Sequence, residues 1–196
     1  MKILTSSIKN LTMILLVSGM IVPFYAQTKF TAKSVNMEVS GTSTMHDWEM
    51  TSKTGDCTAT FTLDGNGNIG HLTALNLTVS STALKSGKGS MDKNAYKALK
   101  SDKYPNITAT LKSAEITTRD NVNFTIKSVI KLTLAGKTVE TDLLATAKKM
   151  SDNTYTVKGE KKISMKDYDM SPPSFMLGAV KTGNDVVLNF EVVLNQ

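Results

Sequence analysis

The chain has 196 residues, 40% of them hydrophobic, a formal net charge of +6 at pH 7 and a single cysteine. This length suits one domain with a sizeable core, and the lone cysteine excludes an intrachain disulfide. Because Arg119 is the only arginine and the lysines are not interleaved with aromatic residues, the composition argues against a nucleic-acid-binding protein.

The first 26 residues have the order of a secretory signal peptide. Lys2 and Lys9 precede an apolar run from Leu11 to Val22, and Ala26 stands before Gln27. The run of about 12 residues is shorter than the roughly 20 that a membrane-spanning helix needs. The pattern predicts cleavage, a periplasmic or secreted protein, and a single mature domain of residues 27–196. That domain carries 21 basic and 17 acidic residues, a net charge of +4.

Apolar and polar residues alternate through most of the mature chain, which is the period of half-buried strands. The alternation predicts eight or nine strands, at 35–39, 46–50, 59–63, 75–79, 107–111, 122–134, 139–145, 155–157 and 186–194. Turn residues at Asp64–Asn68, Ala135–Lys137 and Ser151–Asn153 predict hairpins and a mainly antiparallel sheet. Such a sheet closes into a barrel or packs on a second sheet, and the alternation leaves both open.

One segment, Ser90–Lys100, has helical periodicity instead. Its apolar residues fall at helical spacing: Met91, Ala95, Ala98 and Leu99. We expect Ser90 to cap the start, Asp92 to favour the positive end of the helix dipole, and Tyr104-Pro105 to stop any continuation. The sequence therefore predicts a short amphipathic helix between strands.

The stretch "TSTMHDW" places His46, Asp47 and the only tryptophan together. In an extended chain His46 and Asp47 point to opposite faces, so the aspartate could not orient the imidazole for catalysis. No Gly-x-Ser-x-Gly elbow is present, and Cys57 and His71 lack the short paired spacing of metal ligands. We therefore expect no enzyme activity, no catalytic residue, no metal and no cofactor.

A strand over 46–50 would instead place His46, Trp48 and Met50 on one face. That face suits a wall around an apolar ligand as well as it suits a packed core. The lysines around the predicted helix form either a solvated face or a basic rim that attracts an anionic head group or a membrane surface.

Three segments, in this order, resemble the YceI-like family of secreted lipid-binding proteins. They are "SGTSTMHDWEM" (Ser40–Met50), "TALKSGKGSMDKNAYKALKSDKYPNIT" (Thr82–Thr108) and "KISMKDYDMSPPSFMLGAVKTGNDVVLNFEVVL" (Lys162–Leu194). The resemblance implies an all-β fold, a lipocalin-like antiparallel eight-stranded β-barrel with one short helix at about residues 90–100. It also implies a non-enzymatic carrier that binds, stores or transports a polyisoprenoid, isoprenoid quinone or fatty-acid derivative in the barrel interior.

We expect the ligand to contact inward-facing strand residues, the helix and a loop at Pro172–Leu177 near the mouth. The predicted ligand-binding residues are His46, Trp48, Phe61, Leu77, Met91, Tyr96, Leu99, Phe124, Ile126, Phe175, Met176 and Phe190. The alternative is a structural or partner-binding barrel whose core is filled by side chains. Transient contact with a membrane surface and a homodimer both remain open at this stage.

Overall fold

The computed structural model describes residues 27–151 and 153–196. The predicted signal peptide and Asp152, within the predicted turn Ser151–Asn153, lie outside the described residues. Ten strands and one α-helix form the fold, in the chain order β1 (Gln27–Ser43), β2 (Trp48–Ser52), β3 (Asp56–Leu63), β4 (Ile69–Ser80), α1 (Gly89–Ala98), β5 (Asn106–Thr118), β6 (Asn123–Leu134), β7 (Lys137–Ser151), β8 (Thr154–Ser164), β9 (Ser174–Phe175) and β10 (Val180–Asn195).

The sheet is antiparallel and closes on itself through pairing of β1 with β10. Strands β2 and β3 both pair with β1, with Met37 opposite Ser52 and Thr31 opposite Thr58. These pairs keep one register, so β2 and β3 are two halves of a single barrel strand that is interrupted between residues 52 and 56. The result is a closed eight-stranded barrel. The predicted fold class is confirmed. Because the sheet closes on itself, the fold is a barrel and not two packed sheets.

Strand β6 illustrates why these sequences form the barrel wall. Phe124, Ile126 and Ile130 are buried, whereas Lys127 and Lys131 on the intervening positions are exposed. Successive side chains on a strand point to opposite faces, so this alternation places the apolar set inside the barrel and the lysines in water.

Two predicted hairpin turns are confirmed. The carboxylate of Asp64 accepts hydrogen bonds from the backbone N–H groups of Asn66 at 2.9 Å and Asn68 at 2.8 Å. In the turn between β6 and β7, Ala135 and Gly136 adopt φ values of 50° and 86°. Such a pair of positive φ values matches the right-handed twist of the flanking strands.

The two ends of the barrel are closed differently. At one end Phe30, Phe61, Phe124 and Tyr155 pack edge to face, with ring centroids 5.5 to 5.9 Å apart. We call these four residues the aromatic plug. The opposite end is covered by α1 and by a 3-10 turn, Met165–Tyr168, in which Met165 and Tyr168 are buried.

Helix α1 confirms the predicted helix but not its predicted cap. It starts at Gly89, and no side chain caps its first turn, so Ser90 does not serve as the N-cap. The Asp92 carboxylate instead accepts hydrogen bonds from the N–H of Ser86 at 2.8 Å and its hydroxyl at 2.7 Å, which ties the segment before the helix to its first turn. The helix ends before Tyr104-Pro105, because Lys100 takes a left-handed conformation with φ of 53°. None of the helices in the described ranges is both long and apolar enough to span a membrane.

Candidate ligand-binding cavity

The barrel encloses a cavity of about 560 Å³ between the aromatic plug and helix α1. This volume falls within the range of about 300–1,000 Å³ that small-molecule sites occupy. The wall is mostly apolar, and each of the eight barrel strands contributes to it. The interior of this barrel is therefore not filled by its own side chains.

Four strand residues that the sequence analysis predicted as ligand contacts lie on this wall. Phe61, Leu77, Ile126 and Phe190 all line the cavity. Leu77 and Phe190 are only half-buried although they face inward, because part of their surface borders the empty interior. Apolar surface in that position gains free energy when a ligand removes it from water.

Two of the predicted residues lie elsewhere. Phe124 is fully buried in the aromatic plug, 5.9 Å from the ring of Tyr155, and is not part of the cavity wall. Tyr96 turns away from the cavity, with its hydroxyl 2.8 Å from the carbonyl of Leu84 and 2.7 Å from the ammonium of Lys85. The hydrogen bond between the Lys85 ammonium and the Tyr96 hydroxyl raises the pKa of Lys85.

Helix α1 forms the lid of the cavity. Two of the predicted ligand contacts, Met91 in the helix and Leu99 directly after it, line the cavity. The lid is fastened at both ends: Ser86 bonds to Asp92 before the helix, and after it the hydroxyl of Ser81 donates to that of Ser101 at 2.8 Å. The bonds from Ser86 lower the pKa of Asp92, so the carboxylate stays ionised at neutral pH.

The mouth of the cavity is bordered by the segment before β2 and by the loop before β10. Trp48 begins β2, lines the cavity and donates from Nε1 to the carbonyl of Thr42 at 3.0 Å. His46 also lines the mouth, but it is exposed and precedes the strand, so it does not share a strand face with Trp48. Phe175, in the short strand β9 within the predicted loop Pro172–Leu177, lines the other side of the mouth, and the side chain of Met176 lies outside the described part of the structure.

The histidine at the mouth makes its ring contact with the backbone. The ring of His46 meets the backbone carbonyl of Asp47 at 2.7 Å from Nδ1, rather than the carboxylate. Across residues 27–151 and 153–196, no group of three His, Cys, Asp or Glu side chains could hold a metal ion.

The predicted ligand contacts omit many wall residues, among them Cys57, Ser128 and Lys161, whose side chains are not hydrocarbon. Cys57 lines the cavity, and burial raises the pKa of its thiol to about 11, so the thiol stays protonated at neutral pH. Ser128 and Lys161 are polar residues at inward positions of β6 and β8. The same alternation that placed Ile126 and Val157 inward could have identified them, because Ser128 lies two residues after Ile126 and Lys161 lies four after Val157.

The chain matches the family model described as YceI-like domain over residues 29–194. No curated protein matches it. Among solved structures, BcnA of Burkholderia cenocepacia is 14% identical, with a TM-score of 0.63 over 81% of this chain and 95% of that chain. A polyisoprenoid binding domain from Saccharophagus degradans, implicated in plant cell wall breakdown, is 12% identical, with a TM-score of 0.60 over 87% of this chain and 98% of that one. The YCEI protein of Campylobacter jejuni is 21% identical, with a TM-score of 0.54 over 72% and 81%. At these identities the three structures show a shared fold.

Proposed function

The chain belongs to the YceI-like domain family, and from that premise we propose that it binds an apolar long-chain ligand inside its barrel. The observation that carries the proposal is the apolar cavity of about 560 Å³ between the aromatic plug and the lid helix. Binding draws on buried apolar area, at about 25 cal/mol per Å² before the ordering of the chain is subtracted. The ligand would be a polyisoprenoid, an isoprenoid quinone or a fatty-acid derivative, a choice supported by the similar domain described as polyisoprenoid binding.

The ligand-contacting residues in this proposal are those predicted residues that line the cavity. They are His46, Trp48, Phe61, Leu77, Met91, Leu99, Ile126, Phe175 and Phe190. Phe124 and Tyr96 support the site from outside it, through the plug and the lid. Helix α1 and the loop around Phe175 gate the mouth, and His46 offers a polar contact there.

The action of the protein is binding, storage or transport without catalysis. Burial keeps the thiol of Cys57 protonated, which argues against its use as a nucleophile. The second candidate, a barrel that serves structure or a protein partner through a filled core, is disfavoured by the open interior.

The proposed carrier works outside the cytoplasm and takes its ligand from a membrane surface. Export follows from the signal-peptide pattern of residues 1–26. Met45 and Leu177 are exposed apolar side chains on the two loops at the mouth, and Leu177 is fully exposed. Lys88 stands at the same mouth. Apolar tips beside basic residues favour brief contact with an anionic lipid surface.

Native mass spectrometry of the protein purified from its source organism tests the proposal. We expect a co-purifying lipid whose mass identifies the chain and whose removal leaves a folded protein that rebinds it. A protein that purifies empty, and that binds neither isoprenoids nor fatty acids in solution, would refute the carrier function. The single tryptophan, Trp48, lines the cavity and provides the fluorescence signal for such titrations.

A further inference from the structure

The barrel wall splits between β7 and β8 on the side of the lid. These strands pair from Ser151 opposite Thr154 up to Leu144 opposite Glu160, and no further. Beyond that point β7 remains paired with β6, and β8 remains paired with β10 up to Ser164. The two strands therefore diverge while each keeps its other neighbour. We call the unpaired stretch between residues 137–143 and 161–164 the lateral gap, and the 3-10 turn Met165–Tyr168 contacts β7 over part of it.

Lys161 stands at the start of this gap and faces the interior. It occupies the same face of β8 as Val157 and Ile163, and all three line the cavity. Its ammonium donates to the carbonyl of Asp142 at 2.6 Å, across the gap. The lysine thus satisfies a backbone carbonyl that strand pairing leaves open.

The ammonium of Lys161 has no carboxylate partner among the described residues. The neighbouring lysines on the outer face are paired: Lys162 with Asp185 at 2.8 Å and Lys158 with Glu191 at 2.6 Å. An ammonium has three donors, and the Asp142 carbonyl takes one of them. This hydrogen bond is exposed, so the ammonium is accessible to an incoming anion, and its attraction for the anion is partly screened by water and salt.

A second polar group lines the cavity on the other side of β7. Ser128 is buried, lines the cavity from β6, and its hydroxyl donates to the carbonyl of Leu143 at 3.2 Å. Leu143 follows Asp142, so Lys161 and Ser128 approach adjacent peptide groups of β7 from its two sides. The remaining polar lining residues, such as Ser90 and Thr182, belong to the lid and the mouth.

We propose that Lys161 forms an anion-binding subsite in the barrel wall, where its two remaining N–H donors take the ionised head group of the long-chain ligand. The inference rests on the proposed function and specifies its ligand as an anionic amphiphile, a carboxylate or a phosphate ester. The head group lies at the lateral gap, away from His46, and the chain extends from there along the apolar cavity.

The test compares charged ligands with neutral ligands of the same chain. Oleate is paired with oleyl alcohol, and geranylgeranyl phosphate with geranylgeraniol, with affinities measured by Trp48 fluorescence at low and high salt. We expect at least one anion to bind about tenfold or more tighter than its alcohol, since a hydrogen bond to a charged group is worth that much. The larger ratio assigns the head group as carboxylate or phosphate.

Variants then assign the effect to the residue. Lys161→Met should remove the preference for the anion over its alcohol, and Lys161→Arg should retain the preference. Lys162→Met is the matched control, because this neighbour faces outward and is paired with Asp185. Its binding should equal that of the wild type.

Equal affinity of the wild type for both anions and their alcohols would overturn the subsite and leave the carrier function standing. A preference that survives in Lys161→Met would overturn it as well. Failure of all four ligands to bind would instead count against the carrier function itself.

Discussion

Gly159 and Phe190 face each other across β8 and β10, at the wall of the cavity. A Cβ atom at Gly159 would lie 2.5 Å from Cζ of the Phe190 ring and 3.0 Å from the carbonyl oxygen of Leu144. The glycine is therefore required by close approach, since no side chain fits beneath the ring. The Phe190 ring can occupy its present position because residue 159 has no side chain.

Gly159→Ala should push the Phe190 ring toward the cavity and reduce its volume. We expect affinity for an apolar ligand to fall several-fold, and the free energy of unfolding to fall by about 1–3 kcal/mol through overpacking. Fluorescence titration and urea denaturation measure the two effects. Gly65→Ala is the control, because a Cβ there meets no atom within 4 Å. Unchanged affinity in Gly159→Ala would show that the ring does not shape the site.

Asp120 organises the turn between β5 and β6 through its charge. Its carboxylate accepts hydrogen bonds from the backbone N–H groups of Asn123 at 2.7 Å and Val122 at 2.9 Å. The first of these is the main reason that its pKa is lowered to about 2. A depressed pKa in the folded state means that the ionised carboxylate stabilises the fold.

Asp120→Asn should consequently destabilise the protein in a pH-dependent way. The contribution is fully present above the unfolded pKa of about 4 and is lost as pH falls through the folded value of about 2. We expect the wild type to melt at a higher temperature than the variant above about pH 5. The two melting temperatures should converge toward pH 2, and a difference that stays constant over this range would contradict the assignment.

At the scale of elements, the lid is an anchored helix rather than a loose flap. Its most central anchor is the Tyr96 hydroxyl, which lies within hydrogen-bonding distance of the carbonyls of Thr82 and Leu84 and of the Lys85 ammonium. These partners belong to the segment that leads into the helix, and Lys85 also pairs with Thr51 of β2 through two backbone bonds of 2.8 Å. The lid is thereby joined to the barrel wall.

Tyr96→Phe should loosen the lid while leaving the cavity wall intact. We expect the free energy of unfolding to fall by about 0.5–1.5 kcal/mol for the lost hydrogen bond. Ligand should bind and leave faster, with a smaller change in affinity, as measured by stopped-flow fluorescence of Trp48. Tyr104→Phe is the matched control, since the Tyr104 ring packs over Gly136 and its hydroxyl has no hydrogen-bond partner among the described residues. Equal exchange rates in wild type and Tyr96→Phe would contradict the role of this anchor.

The features predictable from sequence were those that depend on neighbouring residues. Alternation along β6 predicted a strand and its buried face, and the Asp64–Asn68 turn predicted a hairpin because its side chains bond their own backbone. The helix followed from the spacing of Met91, Ala95 and Leu99. Each of these signals acts over a few residues, so a single sequence contains it.

The features that were not predicted depend on where each residue lies in the folded barrel. Phe124 and Ile126 have the same parity on one strand, but Phe124 lies at the level of the plug and Ile126 at the level of the cavity. Periodicity encodes the face of a strand and not the height along a barrel. The Ser90 cap was wrong because the helix begins one residue earlier, at Gly89, after a segment that pairs with β2.

At the scale of the whole molecule, the barrel divides stability from binding along its axis. The aromatic plug packs four rings at the end away from the lid, and the cavity occupies the space between plug and lid. A well-packed aromatic cluster contributes buried area and ring contacts, whereas a wall that borders empty space contributes less packing. Folding free energy is therefore expected to depend more on the plug than on the cavity wall.

This division predicts opposite outcomes for two substitutions. Phe124→Leu removes a ring contact in the plug and should lower the free energy of unfolding by about 1–2 kcal/mol, with unchanged ligand affinity. Leu77→Phe adds volume on the cavity wall, where space exists to accept it, and should weaken binding severalfold with little change in stability. Thermal unfolding of both variants, with and without ligand, measures the two quantities on one sample. If each variant lost affinity and stability in proportion, plug and cavity would act as one cooperative core. If instead Phe124→Leu lowers only stability and Leu77→Phe lowers only affinity, the ligand occupies the cavity next to the plug.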